Sequence, residues 1–525
     1  MPSDDPDREY ILEGIKNGFR ITDRAHSGPV VETNNYKSAT EENFNEVENQ
    51  IKVELENGRL EVTNTVPKIT NALGAIVKQE GDKKKCRLLL DCSSPRGDSL
   101  NDLTDNWHVA YDDLAVAKDI IKPHNVMAKI DLQGAYKVVP IHPQDRHLTG
   151  IKWTFKNASK PTYFLERFLP FGARRSPFVF QRLSKAVLRI ASNYGYHNII
   201  VYLDDYLIIS ENTQECIKTR LFLVTLLRLL GYQIAYKKME GPSKTITFLG
   251  VKICTESFTF SIPQQKIAEI IHKAKTIYSK KSVSKLTLQK LAGLLSWVSQ
   301  IIKIGKQFTR RIFDSIARLQ APAHKTRVTQ SIKCDLDWWL CFAGKFNGVA
   351  RINNFQNECV SLASDACLIG GGAFHDGSFY YTDFKSWGDS ISNLHINYKE
   401  TLTVVPAFFI YGPSWRNKTV FIHLDNKAAV GIINKGTSHN PIVMHFLRLI
   451  SCISVIYNFV YVAVYYRGSS NKIADSISRV QSPGGLEQLN RQLHSLLYPL
   501  EGDHVGALPL HYSWHTWPPG GHVPY

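Results

Sequence analysis

Two aspartates stand side by side, Asp204 and Asp205, inside NIIVYLDDYLIIS (Asn198–Ser210), with an apolar run on each side. Two such runs separated by two turn-forming residues predict a β-hairpin with both carboxylates at its tip. Paired aspartates beside apolar strands repel each other and lose hydration, and a divalent cation is the natural compensation. An exposed acidic turn would give the same pattern, because Asp is a good turn residue in any hairpin. A third acid changes the balance. In NVMAKIDLQGAYKV the alternate positions Val126, Ala128 and Ile130 predict a strand ending at Asp131, before Gln133 and Gly134. Beside the hairpin, Asp131 would face Asp204 and Asp205 across one cluster. Such a cluster can hold two Mg²⁺ ions ~4 Å apart for in-line phosphoryl or nucleotidyl transfer.

Four further acids form a second constellation. Asp365 ends an apolar strand in CVSLASDACLIGGGAF, before a predicted glycine turn at Gly370–Gly372. Glu400 opens a helical pattern in HINYKETLTVV, and Asp425 ends the apolar strand of VFIHLDNKAAVGIINKG. Asp475 falls in the first turns of a helix in YRGSSNKIADSISR, with Ser470 or Asn471 as the N-cap. Each acid alone has an ordinary explanation, since carboxylates favour strand ends and first helical turns. Four in one segment of β-β-α-β-α character are harder to dismiss.

Those residues need elements to position them. Residues 1–66 are polar and read as a leader lying on something larger, apart from an amphipathic stretch near Phe44–Leu55. In 67–255 short apolar runs alternate with helical patterns and turns, a mixed α/β unit. Residues 256–355 are basic and mostly helical; 356–480 return to strands and helices; 481–525, rich in Gly, Pro and His, read as an extended tail. The uncharged stretch Leu449–Tyr466 reads as a buried helix running into a buried strand rather than a membrane span. Trp338 and Trp339 read as packing on a helix, and His511 with His515 lacks a third zinc ligand.

The ordered motifs carry a resemblance. YLDD (Tyr202–Asp205), the strand ending in Asp131, LPFGARRSPFVFQRL, GYQIAYKK and FLGV occur in the order of reverse transcriptase palm motifs. PKITNALGAIVK and RLLLDCSSPRGDSLND resemble the fingers. With NGFRI near the start and LAGLLSW…GKQFTRRIFD later, the series looks most like a DIRS-like retrotransposon reverse transcriptase. The strings SDA, KE, LDN and ADSISR resemble the RNase H domain that follows the polymerase in retroelements. The resemblance implies an α+β right-hand polymerase (fingers, palm, helical thumb and connection) followed by an RNase H-like α/β domain.

By the same resemblance Asp131, Asp204 and Asp205 would be the polymerase metal-site acids. Asp365, Glu400, Asp425 and Asp475 would be those of the nuclease, each set with two Mg²⁺ or, alternatively, Mn²⁺. Tyr136 would screen the sugar 2′ carbon, although a core aromatic after a turn looks the same. Arg87 would meet the incoming triphosphate, with a solvated base beside Lys83, Lys84 and Lys85 as the alternative. Phe171 and Gly172 would lie along nucleotide and template. Lys238 would sit near the pyrophosphate, with Lys237 an equal candidate, and Leu249–Gly250 would grip the primer end unless it is a plain strand turn. Two departures stand out. Many members of that family carry a histidine where Tyr465 stands, and Pro406 must shorten or kink the helix of Glu400.

Lys plus Arg is 63 against 47 for Asp plus Glu, a formal +16, which favours a polyanionic partner. The expected partners are an RNA template, a DNA primer, the RNA–DNA hybrid and dNTPs, with other retroelement proteins as further candidates and no membrane. The 9 cysteines are scattered without a C-x-x-C, which fits reduced thiols in an intracellular setting, cytoplasmic or nuclear, rather than a secreted disulfide scaffold. A non-catalytic nucleic-acid-binding remnant of a mobile element is the rival from another class, and a polymerase with a dead nuclease is a third.

Overall fold

The computed structural model describes residues 4–81, 83–345, 348–352, 358–497 and 515–516, and the chain divides into two units between Ser261 and Ile262. The N-terminal segment lies on the first unit, as expected, and also builds part of it. It holds α1 (Arg8–Asn17), β1 (Val31–Glu32), α2 (Phe44–Glu56) and β2 (Leu60–Thr63). The amphipathic pattern of α2 buries Val47 and Ile51. Next come β3 (Ile69–Thr70), the hairpin β4 (Ala72–Glu80) and β5 (Lys83–Asp91), β6 (Val126–Asp131), β7 (Gly150–Trp153) and β8 (Thr162–Glu166). Strands β1 and β2 become the two edges of a five-stranded sheet of order β1-β3-β7-β8-β2.

The strands that carry the first acids lie elsewhere. After α3 (Ser176–Asn193) come β9 (Ile199–Tyr202), β10 (Asp205–Ser210), α4 (Thr213–Leu229) and β11 (Glu240–Ser243). They form a second sheet of order β11-β6-β10-β9. Met127, which alternation alone would place outside, is as buried as Ala128, because β6 is covered on both faces. The hairpin β12 (Thr245–Phe248) and β13 (Val251–Cys254), with β14 (Thr259–Ser261), ends the unit.

The second unit opens on helices α5 (Gln264–Tyr278), α6 (Lys285–Val298), α7 (Arg310–Ala317) and α8 (Gln330–Lys345). Their apolar faces close on Trp339, 1% exposed, while Trp338 stacks on Phe308 at 4.1 Å; both tryptophans pack, as the sequence predicts. Then follow β15 (Cys359–Ala366), β16 (Gly370–His375), β17 (Ser378–Asp383), α9 (Ile396–Thr403), α10 (Val405–Tyr411), β18 (Thr419–Leu424), α11 (Lys427–Lys435), α12 (Pro441–Ile456), β19 (Val460–Tyr465), α13 (Lys472–Ser478) and α14 (Gly485–Leu497). The sheet runs β19-β18-β15-β16-β17, with His515–Thr516 added beyond β17. Strands β15, β18 and β19 are mutually parallel and β16 and β17 antiparallel.

Several expectations are corrected by this architecture. Gly370–Gly372 are no turn: they lie inside β16, where a Cβ on Gly371 would stand 2.2 Å from Thr403 Oγ1 and one on Gly372 2.3 Å from Ile477 Cγ2. The glycines buy close approach of helices to the sheet. A third strand, β17, precedes the helix of Glu400, and β19 precedes the helix of Asp475, so the order, with consecutive helices counted once, is β-β-β-α-β-α-β-α. Residues 485–497 of the expected extended tail are helical, burying Leu489 against the α13 side; His511 and the other residues of 498–514 lie outside the described residues. Leu449–Tyr466 is the end of α12 followed by β19, but β19 is an edge strand in which Ala463 is the buried residue, so the strand is less buried than the uncharged run implies. No described helix is long and apolar enough to cross a membrane.

The helical half and the sheet half of the second unit share a buried ion cluster. Asp335 on α8, with a side chain 0% exposed, takes Arg311 Nη1 at 2.9 Å and Arg448 Nη2 of α12 at 3.6 Å. Removing one partner strands the others without water. Asp335→Ala is therefore expected to cost about 3–5 kcal/mol, read as a lower urea midpoint of the second unit. Exposed Lys290→Ala on α6 is the control, expected within about 0.5 kcal/mol.

Candidate active sites

The hairpin is real but its turn sits one residue earlier than the sequence implies. Strand pairing closes at Tyr202↔Asp205, so the two turn residues are Leu203, at φ 54°, and Asp204. Asp205 is a strand residue. In the antiparallel ladder with β6 it lies directly opposite Asp131, which places the two Cα atoms about 4.5–5.5 Å apart. Asp204 is tied to the same spot, because its carbonyl accepts Leu132 N–H at 3.2 Å. The three acids of the first constellation therefore meet at one end of β6.

Their electrostatics are those of crowded carboxylates leaving water. Burial, then Asp204 and Asp131, push Asp205 up to about 6 against the pull of Lys129, whose Nζ is 3.5 Å from Asp205 Oδ1. Asp204 is raised for the same reason, burial first. Apart from the Lys129 ion pair, Asp205 Oδ1 is buried with no hydrogen-bond partner, an acceptor that suits a divalent cation. Lys238 Nζ reaches Asp131 Oδ1 at 2.7 Å, so of the two lysines Lys238 is the one at the acids.

Residues the sequence reading assigned no role hold this tip. Gln181 on α3 accepts Leu203 N–H at 2.8 Å and donates to the Val201 carbonyl at 3.1 Å, while Ser184 Oγ donates to the Leu203 carbonyl at 2.8 Å. Asp112 accepts Val201 N–H at 3.0 Å, and Tyr111 stacks on Tyr202 at 4.7 Å. Gln181 stood in a quoted motif; Tyr111 and Asp112 lie in a loop with no periodicity to mark them.

The expected nucleotide-facing residues gather partly. Tyr136, 8% exposed, stacks on Phe171 at 4.9 Å, and Phe171 is 49% exposed, so the pair offers an aromatic wall with one open side. Gly172, at φ 118°, has the Leu90 carbonyl 2.1 Å from where a Cβ would stand, so only glycine fits. Asn101, another residue the sequence reading passed over, donates to the Gly172 carbonyl at 3.0 Å and to Ser93 Oγ at 2.8 Å, and it accepts Arg174 N–H at 2.7 Å. It joins the end of β5 to the loop before α3. Arg87 is exposed midway along β5, opposite Ile76. Leu249 and Gly250, both at positive φ, form the two-residue turn of the β12–β13 hairpin.

In the second unit Asp365, Glu400 and Asp425 offer ligand oxygens all within 4.8 Å of one another, the one such set among the described residues. Asp365 ends β15, Asp425 follows its parallel neighbour β18, and Glu400 comes from α9 packed over them. Burial and then the facing acids lift Glu400 to about 9 and hold its Oε2 without a partner, while burial raises Asp365 to about 6. This donor set too fits a divalent cation. Asp475 on α13 adds its charge to Asp365, Glu400 and Asp425, yet its Oδ1 is held by Arg479 Nε at 2.7 Å. Pro406 stands at the second position of α10, and the helix of Glu400 stops at Thr403, as its sequence requires. Tyr465 ends β19, 44% exposed, with Lys427 Nζ 5.0 Å above its ring.

Residues 79–253 match the family model described as reverse transcriptase (RNA-dependent DNA polymerase). The chain is 24% identical over 251 residues to the genome polyprotein of Petunia vein clearing virus, covering 44% of this chain and 11% of that one. It is 23% identical over 378 residues to the transposon Tf2-3 polyprotein of Schizosaccharomyces pombe, covering 69% of this chain and 26% of that one. The chain thus spans between a tenth and about a quarter of the length of these curated relatives. Among solved structures it is similar to the foamy viral protease-reverse transcriptase dRH in complex with double-stranded DNA, with TM-score 0.51 and 15% identity over 84% of this chain and 72% of that one. The fold is that of a right-hand polymerase, and residues 79–253 are similar to the reverse transcriptase domains of retroelement polyproteins.

The raised carboxyls give a testable sign. A carboxyl lifted on folding stabilises below its unfolded value of about 4.5, and that contribution is lost as pH rises toward about 9 for Glu400. The metal-free second unit should therefore lose stability between about pH 5.5 and about pH 8.5, and Mg²⁺ should raise the melting temperature more at the higher pH. Glu400→Gln should flatten the pH dependence; an equal Mg²⁺ effect at both pH values counts against the cluster as a cation site.

Proposed function

We propose that the chain is an RNA-directed DNA polymerase of a DIRS-like retroelement, with a second, ribonuclease H activity that cuts the RNA strand of RNA–DNA hybrids. The observation that carries the polymerase reading is the register that sets Asp131 opposite Asp205 with Asp204 at the adjoining tip, inside the segment that matches the reverse transcriptase family. Mg²⁺ bound by Asp131, Asp204 and Asp205 supplies Lewis acidity for nucleotidyl transfer.

The chain's own residues do the rest. The Tyr136–Phe171 wall bounds the space beside the acids where a sugar without a 2′-hydroxyl would fit. Gly172 lets backbone approach a template base, and Arg87 is free in its reach to meet a triphosphate with a guanidinium fork. Lys238, its side chain 62% exposed, can leave Asp131 for the departing pyrophosphate. The excess of basic residues favours RNA, DNA and their hybrid as partners, held more weakly as salt rises. The foamy viral relative whose structure resembles this chain was solved with double-stranded DNA, which supports the same class of partner. Action inside the cell, with reduced thiols, is consistent with nine free cysteines.

The Asp365, Glu400 and Asp425 set supports the nuclease reading, since two ions there would direct water at a phosphodiester. A second reading, a polymerase with a slow or silent nuclease, is favoured by Arg479 pairing with Asp475 and by Tyr465, which by the sequence resemblance replaces a histidine and lies under the Lys427 ammonium.

Primer extension with dNTPs and Mg²⁺ should fall by at least about 10³-fold in an Asp204→Ala, Asp205→Ala double variant; equal incorporation in both proteins would end the polymerase reading. Cleavage of a labelled RNA–DNA hybrid should disappear with Asp425→Asn while primer extension persists. Uncut RNA with the unaltered chain would favour the silent nuclease.

A further inference from the structure

Helix α13 is short, and both its ends are fastened to the strand that carries the first acid of the second site. At its start Asn471, 4% exposed, donates Nδ2–H to the Ser364 carbonyl at 2.9 Å. At its end Ser478, 0% exposed, has its hydroxyl 2.7 Å from Asp365 Oδ2 and 2.8 Å from the Asp475 carbonyl. A hydroxyl has one proton to give, and an ionised carboxylate is a stronger acceptor than a helical carbonyl. The bond to Asp365 is therefore the one kept once that acid is charged.

The serine is itself held in place. Cys367 Sγ–H donates to the Ser478 carbonyl at 3.1 Å, and Gly370 N–H donates to the same sulfur at 3.3 Å. Gly372 beneath the preceding residue has no side chain, which lets α13 sit low enough for the hydroxyl to reach. The other acids meet cations or backbone: Asp131 meets Lys238, Asp205 meets Lys129 and Asp475 meets Arg479. At Asp365 a neutral donor fixes the carboxylate without competing for the charge that a cation would need.

We propose that Ser478 is a positioning residue of the second site. By donating to Asp365 Oδ2 it fixes the rotation of that carboxylate, commits one oxygen and leaves the other for the cluster with Glu400 and Asp425. Because Ser478 lies one turn beyond Asp475, the same bond sets the depth at which the fourth acid stands. The proposal rests on the reading that this cluster binds Mg²⁺ to cut RNA in a hybrid.

The test compares the unaltered chain, Ser478→Ala and Ser478→Thr across a Mg²⁺ series on a labelled RNA–DNA hybrid. Ser478→Ala should raise the Mg²⁺ needed for half-maximal cleavage about ten-fold. Ser478→Thr, which keeps the hydroxyl, should return it to within about two-fold of the unaltered chain. Primer extension by the same preparations should not change. Equal half-saturation in the unaltered chain and Ser478→Ala overturns the proposal.

If the unaltered chain cuts no hybrid, the nuclease reading fails separately. Positioning is then read from the Mg²⁺-induced rise in melting temperature of chains carrying Asp204→Asn. A rise that needs the same Mg²⁺ with and without Ser478→Ala again overturns it. Cys367→Ala, which removes only the thiol beneath the Ser478 carbonyl, guards against a serine variant that does not fold. It should shift half-saturation in the same direction, and no shift would leave the serine a plain packing contact.

Discussion

Like charges brought together out of water set the terms for both units. A carboxylate leaving water for a protein interior loses hydration worth several kcal/mol, and a second one nearby adds repulsion. The chain does this twice, with Asp131 and Asp205 on strands beside the turn residue Asp204, and with Asp365 and Asp425 at two strand ends beside Glu400 on a helix. Such clusters survive only where the backbone leaves the acids no way to separate. In the first unit the ladder between β6 and β10 supplies that restraint. In the second, parallel β15 and β18 hold two acids at adjacent strand ends and α9 presses the third onto them.

Around each cluster the second layer is mostly neutral. Gln181 and Ser184 brace the hairpin tip through its backbone, and Asn101 ties the end of β5 to the loop of Gly172. Asn471 and Ser478 do the equivalent for α13. Amides and hydroxyls orient without cancelling charge, so the clusters keep the negative potential a divalent cation requires. Of the cations that touch the acids, Lys238 and Arg479 have side chains 62% and 51% exposed and can be displaced, while Lys129 is mostly buried.

Asp131, Asp204, Asp205, Asp365 and Asp425 are legible because each sets a charge against an apolar run, a conflict that sequence alone exposes, while Glu400 and Asp475 stand out only as acids near the start of helical patterns. The sequence implies that Asp131 lies beside the hairpin but not the register, which depends on Leu203 taking a positive φ, so that the turn falls on Leu203–Asp204 instead of on the two acids. Gly370–Gly372 misled for the opposite reason, since a glycine run signals either freedom or lack of space, and only the neighbouring Thr403 and Ile477 reveal which. Residues 1–66 looked like a leader because two-residue and four-residue strands carry too little pattern to read. The helix at 485–497 was hidden by the glycines and prolines around it. Pro406, by contrast, announced its break because its ring forbids the alternative.

The direct opposition of Asp131 and Asp205 has a consequence for how this unit can vary. In a ladder with a two-residue side-chain repeat, sliding one strand by a single position would send Asp131 to the far face while leaving the apolar count of β6 almost unchanged. The slipped pairing would be nearly as comfortable for the core and wholly inert in chemistry. Lengthening or shortening the chain by one residue between 126 and 131, or between 199 and 210, is therefore far more damaging than most exchanges of one side chain for another. The loops outside those limits carry the freedom to change length, and related chains should differ there first.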